Sequence, residues 1–289
     1  MEIHNLKVST PVSLEAYSTT PEEDHSKKAL KKKLRKERKA LGKMQNTLYA
    51  HNKYSVLVCI QGMDTSGKDS LIREVFKDFN VRGVNSYSFK KPSEEELQHD
   101  FLWRHYKALP ARGKYAVFNR SHYENVLISR VKPQIVLNEN SPHITQLSDI
   151  TPEFWQQRLQ QINNFEETIH QNGCIIFKFF LHISKDEQKN RLLRRLNKPS
   201  KNWKFSPEDL KDRELWDEYI HCYEKALTAT STPHAPWYII PSDSKHYARW
   251  LVAKTIKERM ESYTDIQNPS LPDELQEQLS YYKKQLKVS

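Results

Sequence analysis

The chain has 289 residues, 37% of them apolar, so one large α/β domain or two small ones can form. Lysine and arginine number 46 against 36 acidic residues, and this net charge of +10 favours a polyanionic partner. A membrane span is disfavoured, because the most apolar segment (residues 174–183) is short and interrupted by Lys178. A disulfide or zinc framework is disfavoured too, because the three cysteines are far apart in the chain. We therefore expect a cytoplasmic protein.

Residues 1–25 are polar and predict an irregular N-terminal arm. In residues 26–52, leucines recur at helical spacing and predict a helix, and lysines and arginines fill its other face. Charge runs of this kind usually form a solvated helix face, and the sequence favours that interpretation. A stripe that binds a polyanion is the alternative.

Strand and helix patterns then alternate along the chain. Strands are predicted over residues 54–61, 84–89, 115–118, 174–183 and 237–240. Helices are predicted over residues 68–79, 94–109, 121–130, 152–172, 184–195 and 246–263. This alternation predicts an α/β fold in which a five-stranded parallel sheet is covered by helices on both faces. The leucines of residues 266–289 suggest a terminal helix that docks onto the domain.

A glycine-rich segment, Gly62-Met-Asp-Thr-Ser-Gly67-Lys68-Asp-Ser70, separates the first strand from its helix. Its spacing is typical of a phosphate-binding loop, whose backbone amides and lysine contact phosphate oxygens. Asp69 replaces the usual hydroxyl, and Asp64 makes sense beside anionic phosphates if it holds magnesium. The phosphate-binding residues are predicted to be Gly62, Thr65, Ser66, Gly67, Lys68, Asp69 and Ser70.

Further basic residues are expected at the same edge of the sheet. Lys90 and Lys91 follow the second strand, and ligands of such folds collect at the carboxyl ends of the strands. Residues of about 196–220, where prolines interrupt the helical pattern, predict a basic helical lid. An exposed basic hairpin is the alternative interpretation. The residues proposed to bind a polyanion around this lid are Arg191, Arg194, Arg195, Lys204 and Arg213.

Several longer motifs occur in register with this loop. They are HDFLWR at residues 99–104, FNRSHYE at 118–124, NWKFSPED at 202–209 and RELWDEY at 213–219. From about residue 26 to 265 the chain resembles the polyphosphate kinase 2 family. The resemblance implies a P-loop kinase-like three-layer fold over residues 26–265, with the lid at about 196–220 and a helical tail at 266–289. It also implies magnesium-dependent transfer of the terminal phosphate of inorganic polyphosphate to AMP or ADP, with ATP as a product.

The resemblance carries residue roles with it. Asp64 would bind magnesium, and Lys68 and Arg120 would stabilise the transferred phosphoryl group. Many members have Asp where this chain has Asn119. The motif FNRSHYE, which ends in Glu124, resembles the class III branch of the family, whose members phosphorylate both nucleoside monophosphates and diphosphates. Glu124 follows Arg120 by four residues, so the two side chains should share one face of a helix. A structural ion pair between them is the alternative role. GMP and GDP are further candidate acceptors, and a dimer or tetramer is expected.

The predicted reaction requires little covalent chemistry from the protein. An ionised phosphate oxygen of the nucleotide can attack the terminal phosphorus in line without a general base. An ATP-dependent nucleotide or small-molecule kinase is the main alternative, although it needs fewer basic residues. A nucleic-acid-binding protein is a second alternative, but the sequence contains no recognised nucleic-acid module.

Overall fold

The computed structural model describes residues 6–8 and 11–288. Its centre is one parallel sheet of five strands in the order β2-β3-β1-β4-β5, which confirms the predicted α/β architecture. The strands are β1 (Ser55–Gln61), β2 (Val84–Ser88), β3 (Tyr115–Asn119), β4 (Cys174–His182) and β5 (Trp237–Pro241). β1 lies between β3 and β4, with Cys59 in register with Phe118 on one side and Lys178 on the other.

Helices cover both faces of the sheet, as predicted. They are α1 (Lys27–His51), α2 (Lys68–Val75), α3 (Glu94–Leu97), α4 (Trp103–Lys107), α5 (Ile128–Val131), α6 (Gln134–Leu137), α7 (Pro152–Gln171), α8 (Lys185–Leu196), α9 (Pro199–Asn202), α10 (Glu208–Glu214), α11 (Trp216–Thr230), α12 (Lys245–Glu261) and α13 (Asp273–Val288). Alternate side chains of β1 point to opposite faces. Val56, Val58 and Ile60 pack with α1, α2 and α12, and Leu57 and Cys59 pack with α7.

Two predicted helices are not continuous. Residues 94–109 form the short helices α3 and α4, because Asp100 accepts a hydrogen bond from the backbone N–H of Leu102 at 2.9 Å and starts a new turn. Residues 121–130 form a 3₁₀ helix, His122–Val126, followed by α5. α2 also ends at Val75, earlier than residue 79. Local hydrogen bonding therefore breaks helices that the apolar pattern alone would extend.

The two ends of the chain differ from the expectation. Within the predicted irregular arm, Lys7 bridges to Tyr238, and the buried Leu14 donates its backbone N–H to Glu224 at 2.7 Å. This part of the arm is therefore packed against the domain, while residues 1–5, 9 and 10 lie outside the described residues. The tail forms the helix α13, but the prediction that it docks is wrong: its leucines are exposed, with Leu286 at 78%.

The lid segment consists of α9, α10 and the first turn of α11. Trp216 is buried in the core and fixes the C-terminal end of this segment, whereas Trp203 is 77% exposed. In the part of the chain that the structure describes, no helix combines the length and the apolar character that crossing a membrane requires.

Candidate active site

The phosphate loop joins the end of β1 to the start of α2 through a tight turn. Gly62, Thr65 and Gly67 all have positive φ angles, of 149°, 64° and 112°. A Cβ atom at Gly62 would lie 2.9 Å from the carbonyl oxygen of Leu181, so a side chain is excluded there. Thr65 is one of the few residues other than glycine that adopt this strained conformation, which is often found at functional sites.

Lys68 is folded back over the loop that precedes it. Its Nζ donates to the carbonyl oxygens of Gly62 at 2.6 Å and Met63 at 3.2 Å, and the residue is buried. Burial lowers the pKa of the Lys68 ammonium, and the nearby carboxylates of Asp64 and Glu124 oppose this shift. The lysine predicted to contact phosphate therefore contacts loop carbonyls here, which hold its ammonium within the loop.

Arg120 stands at the end of β3, next to the loop. Its backbone has a φ of 62° and donates a hydrogen bond to the carbonyl oxygen of Ile60 at 3.1 Å. Its guanidinium donates to Oδ1 of Asp64 at 3.1 Å. The nearby carboxylates of Glu124 and Asp64 outweigh the effect of burial and raise the pKa of Arg120. The structure thus brings Arg120 and Asp64 together from two neighbouring strands.

Glu124 does not share a helix with Arg120, so that part of the prediction is wrong. Arg120 precedes the 3₁₀ helix His122–Val126, and Ser121 caps this helix in an extended conformation. The turn nevertheless keeps the two side chains close, because Arg120 interacts electrostatically with Glu124. Burial raises the pKa of the Glu124 carboxyl, and the charges of Arg120 and Lys68 oppose the shift. The four predicted catalytic residues, Asp64, Lys68, Arg120 and Glu124, therefore form one cluster.

Asn119 has a different partner from the one that a metal ligand would have. Its side-chain amide donates to Oδ1 of Asp69 at 2.8 Å. The other carboxylate oxygen of Asp69 accepts from Lys204 of the lid segment at 3.4 Å. An aspartate at position 119 would place two carboxylates against each other, whereas asparagine links β3 to α2 and leaves Asp69 to contact the lid.

Arg191 is buried, and its prediction as a polyphosphate ligand needs correction. All five of its N–H donors are engaged: with the Glu187 carboxylate, with the carbonyls of Thr65 and Ser66 in the phosphate loop, and with those of Ser242 and Asp243 after β5. A guanidinium that is saturated in this way has no donor left for an anion. Arg191 instead positions the phosphate loop against β5.

Gln188 was missed by the sequence analysis. It is buried, and its amide donates to the backbone carbonyl of Asp64 at 3.2 Å. Its oxygen accepts from Arg213 at 2.8 Å, so Arg213 contacts α8 rather than open solvent. Gln188 lies about one turn before Arg191, so helical periodicity could have placed the two side chains on the same buried face of α8.

The other predicted basic residues line the rim of the cleft. Arg194 is exposed and contacts Glu187 at 2.6 Å, and Arg195 contacts Asp209 at 3.0 Å. Lys90 and Lys91 are exposed after β2, whose last residue, Ser88, is in register with Asn119. Lys90 and Lys91 therefore lie just beyond the carboxyl end of β2, as predicted.

A buried polar network lies beneath the turn that carries Arg120 and Glu124. Lys178 in β4 donates to Glu166 at 2.6 Å and to the hydroxyl of Tyr123 at 2.9 Å. Glu166 also accepts from Tyr123 at 2.7 Å and contacts His122 at 3.1 Å. Burial alone would raise the pKa of Glu166, but the Lys178 ammonium holds it below its usual value. Because these side chains are fully buried, the network fixes the backbone next to the cluster of predicted catalytic residues.

The donor set of the cleft suits a magnesium ion that is shared with a substrate. Within the described residues, no group of three or more His, Cys, Asp or Glu side chains could hold a metal. Asp64 has a partly exposed carboxylate, 27% accessible, beside the phosphate loop. Mg²⁺ is commonly bound by one or two carboxylates together with phosphate oxygens and waters, so Asp64 fits this role.

Comparisons with known proteins agree with this geometry. A family model described as Polyphosphate kinase 2 matches residues 24–268. The chain is 48% identical over 229 residues to an ADP-polyphosphate phosphotransferase of Rhodopseudomonas palustris, covering 79% of this chain and 78% of that protein. It is 45% identical to an AMP/ADP-polyphosphate phosphotransferase of Meiothermus ruber, covering 76% and 77%. The crystal structure of polyphosphate kinase 2 from Arthrobacter aurescens TC1 matches with a TM-score of 0.88 at 33% identity, over 99% of this chain and 96% of that one.

Proposed function

The chain belongs to the polyphosphate kinase 2 family, and from this premise we propose that it transfers the terminal phosphate of inorganic polyphosphate to AMP and ADP. The observation that carries the proposal is the cluster of Lys68, Arg120 and Asp64 at the carboxyl edge of the sheet. It provides two cations and one carboxylate where a phosphate chain would end. The names of the two relatives support polyphosphate and nucleotides as substrates.

The reaction is a single in-line displacement. A terminal phosphate oxygen of AMP or ADP forms a bond to the last phosphorus of polyphosphate, while the bond between that phosphorus and the bridging oxygen breaks. The nucleotide gains one phosphate, and the polyphosphate leaves one unit shorter with the negative charge on its new end. The attacking oxygen is already ionised, so positioning and charge stabilisation supply the catalysis.

Lys68 and Arg120 stabilise the charge of the transferred group. The substrate phosphates replace the Gly62 and Met63 carbonyls as the partners of the Lys68 ammonium. Arg120 is held at the cleft by Asp64, and its strained backbone is fixed by the hydrogen bond to Ile60. Positive charge that is held in place before the reaction needs no rearrangement as the transition state forms.

Magnesium is the proposed cofactor, with Asp64 as its protein ligand. When bound, the ion would neutralise phosphate charge and orient the phosphate oxygens. The residues that bind its phosphate partners are those of the loop and of α2. Replacing Asp64 by Asn should therefore raise the magnesium concentration that half-maximal activity requires. An unchanged requirement would place the ligand elsewhere.

The lid and the rim supply the donor site. Lys204 and Arg194 on one side, and Lys90 and Lys91 on the other, provide exposed cations around the loop. The contact between Lys204 and Asp69 shows how the lid segment reaches α2. We propose that this segment closes over the polyphosphate end and excludes water from the transfer.

Several finer features belong to the same proposal. Glu124 is proposed to make both AMP and ADP usable as acceptors, with GMP and GDP as further candidates and ATP as the final product. A homo-oligomer is supported by the exposed leucines of α13. A cytoplasmic location is supported by the free thiols of Cys59, Cys174 and Cys222, which are buried.

One incubation tests the proposal. Purified protein is mixed with magnesium, long-chain polyphosphate and AMP, and the nucleotides are separated by chromatography. ADP should appear first and ATP later. A parallel reaction without any phosphate donor should leave AMP unchanged. A reaction with ATP in place of polyphosphate should give no net increase in ATP. If AMP is phosphorylated by ATP and not by polyphosphate, the chain is an ATP-dependent kinase.

A further inference from the structure

The outward face of α1 carries a row of basic side chains that the proposed reaction does not use. They recur at spacings of one to four residues and all are exposed: Lys28, Lys32, Arg35, Lys36, Lys39 and Lys43. Among the residues that the structure describes, none of the six forms an ion pair or a side-chain hydrogen bond. From Lys28 to Lys43 the row extends about 22 Å along the helix. We call these six residues the α1 stripe.

The inner face of the same helix is firmly attached to the domain. Arg38 contacts Asp78 at 2.9 Å, and Glu37 contacts Lys257 of α12 at 3.1 Å. Lys33 lies 4.5 Å from the ring of Trp250. Leu30, Leu34, Leu41 and Leu48 are buried. The stripe is therefore held at a fixed place on the surface, unlike lysines on a mobile terminus.

Basic residues connect the phosphate loop to α12. A small cleft beside the loop is lined by Gly67 and Ser70 and by Lys245 and Arg249 of α12. Burial and the nearby charges of Arg191 and Arg194 lower the pKa of Lys245 to about 8. Within the described part of the chain, the buried Nε of Arg249 has no hydrogen-bond partner. Arg249 thus adds a charged side chain to the wall of this cleft.

The same helix then leads to the start of α1. His246 is adjacent to Lys245, and burial together with the charges of Arg249, Lys27 and Lys31 lowers the pKa of His246. Lys27 and Lys31 are exposed and directly precede members of the α1 stripe. Positive charge between the loop and α1 is therefore carried by the lysines and arginines around His246, namely Lys245, Arg249, Lys27 and Lys31.

We propose that the α1 stripe is a second binding site for inorganic polyphosphate, which holds the part of a long chain that extends out of the catalytic cleft. This inference rests on the proposed function, because it assumes that polyphosphate is the donor. Residues 27–48 contain no aromatic side chain on which a nucleic-acid base could stack, so the stripe offers charge alone. Such a surface suits a substrate that consists only of repeated phosphates.

Attachment at two points predicts a dependence on chain length. A long chain that is bound to the stripe has its end held near the cleft at a high effective concentration, whereas tripolyphosphate is too short to reach both. At equal concentration of chain ends, long polyphosphate should thus have the lower KM. That advantage should weaken as salt rises, because polyanion binding releases counterions.

The test removes three charges from the stripe and compares them with three charges elsewhere. The test variant is Lys32→Gln, Lys36→Gln, Lys39→Gln; the control is Lys283→Gln, Lys284→Gln, Lys287→Gln on α13, where the side chains are equally exposed. KM and kcat for AMP phosphorylation are measured with long polyphosphate and with tripolyphosphate. The stripe variant should raise KM for long polyphosphate on the order of tenfold and leave tripolyphosphate kinetics unchanged. The α13 control should change neither.

Each other outcome has a definite meaning. If both triple variants raise KM for long chains equally, net charge and not the stripe is responsible, and the inference is wrong. If the stripe variant keeps wild-type kinetics with both donors but loses binding to a labelled RNA oligonucleotide, the stripe is a nucleic-acid surface, and the inference is equally wrong. If wild-type protein uses neither long polyphosphate nor tripolyphosphate as a donor, the proposed function itself fails, which is a separate result.

Discussion

The two sides of helix α8 carry the same kind of residue in opposite circumstances. On the inner side, Arg191 is 4% exposed and gives all five N–H donors to carbonyl and carboxylate oxygens of the protein. On the outer side, three residues later, the Arg194 side chain is 61% exposed and contacts Glu187 and the backbone of its own helix. The inner arginine builds the phosphate loop, and the outer one is available to a polyanion.

The same difference between saturated and exposed cations separates two parts of the cleft. Its floor is the buried network around Lys178, and its rim is the set of exposed cations around the phosphate loop. In the floor, Lys178 has three partners, Glu166, Tyr123 and the carbonyl of Thr230, and no access to solvent. At the rim, Lys204 contacts Asp69 at 3.4 Å, lies 5.0 Å from the ring centroid of Trp203 and remains 40% exposed. A cation whose donors are saturated by the protein has a structural role, and we propose that one with spare donors binds phosphate. Net charge therefore overstates the number of residues that bind substrate.

Lys68 has properties of both groups, because its ammonium is buried and hydrogen-bonded by the protein yet is proposed to bind phosphate. Replacing it should therefore have the largest effect on activity. We expect Lys68→Ala to lower kcat by a factor on the order of 10³, as losing a charge that stabilises a transition state does. The melting temperature should stay within a few degrees of wild type, because a buried ammonium is costly to desolvate. Steady-state kinetics and thermal unfolding by circular dichroism give the two values.

Lys77→Ala is the matched control, since Lys77 is exposed just beyond α2. It should leave both quantities unchanged. Activity of the Lys68 variant within tenfold of wild type would contradict the assignment of the phosphate loop.

The comparison on α8 can be tested directly by changing each arginine to methionine. Arg191→Met removes the donor from four backbone carbonyls of the loop and of the chain after β5 and from the Glu187 carboxylate, so we expect a loss of about 3 kcal/mol in the free energy of unfolding. Activity should fall with it, because the phosphate loop loses its support. Arg194→Met should change the free energy of unfolding by less than about 0.5 kcal/mol. Urea unfolding curves measure the free energy of unfolding of both variants. Equal losses of stability would contradict the distinction between the inner and the outer arginine.

The rim should show a smaller effect that is confined to the donor. Replacing Arg194, Arg195 and Lys204 by Gln should raise KM for polyphosphate roughly tenfold and flatten its dependence on salt. KM for AMP should stay close to wild type. An equal rise for both substrates would show that these charges do not distinguish donor from acceptor.

The sequence predicted the sheet well, because its signal is strong. β1 and β4 are mostly apolar runs whose residues are all buried, and such short apolar runs are typical of strands covered on both faces, even though Lys178 interrupts β4. The helices after β2 and β3 were predicted less well. Asp100 and Ser121 make local hydrogen bonds that divide the chain into short turns, and hydrophobic periodicity does not register such bonds.

The sequence motifs predicted residues that lie together in the structure, whereas they did not predict the residues that support this cluster. Asp64, Lys68 and Arg120 lie in short segments next to strand ends, where spacing is informative. Gln188 and Glu166 act through contacts to residues more than 40 positions away in the chain. Helical periodicity can place Gln188 on the same buried face of α8 as Arg191, but it does not identify partners that are distant in the chain. For the same reason the sequence predicts a substrate ligand at Arg191, whose donors are occupied by the protein.

Glu124 should show the smallest effect, a change in acceptor preference and pH dependence. It stands between the floor and the rim, since it is partly buried yet interacts with the charges of Arg120 and Lys68. Burial raises the pKa of its carboxyl. If its negative charge is needed, activity is retained above that pKa and lost as the pH falls through it. The charge would be lost at a higher pH than for an exposed glutamate.

Glu124→Gln keeps the size and hydrogen-bonding reach of the side chain and removes its titration. We expect the acidic decline of kcat to disappear or move to lower pH, and the ratio of AMP to ADP phosphorylation to change by about threefold to tenfold, the value of one charged hydrogen bond. Initial rates for both acceptors at saturating polyphosphate, from pH 5 to 9, give both results. A common decrease of the two rates with an unchanged pH profile would assign Glu124 to the floor, as a residue that holds Arg120 in place. A changed ratio assigns it to the rim, where it contacts the acceptor, because only a group near the nucleotide can distinguish one phosphate from two.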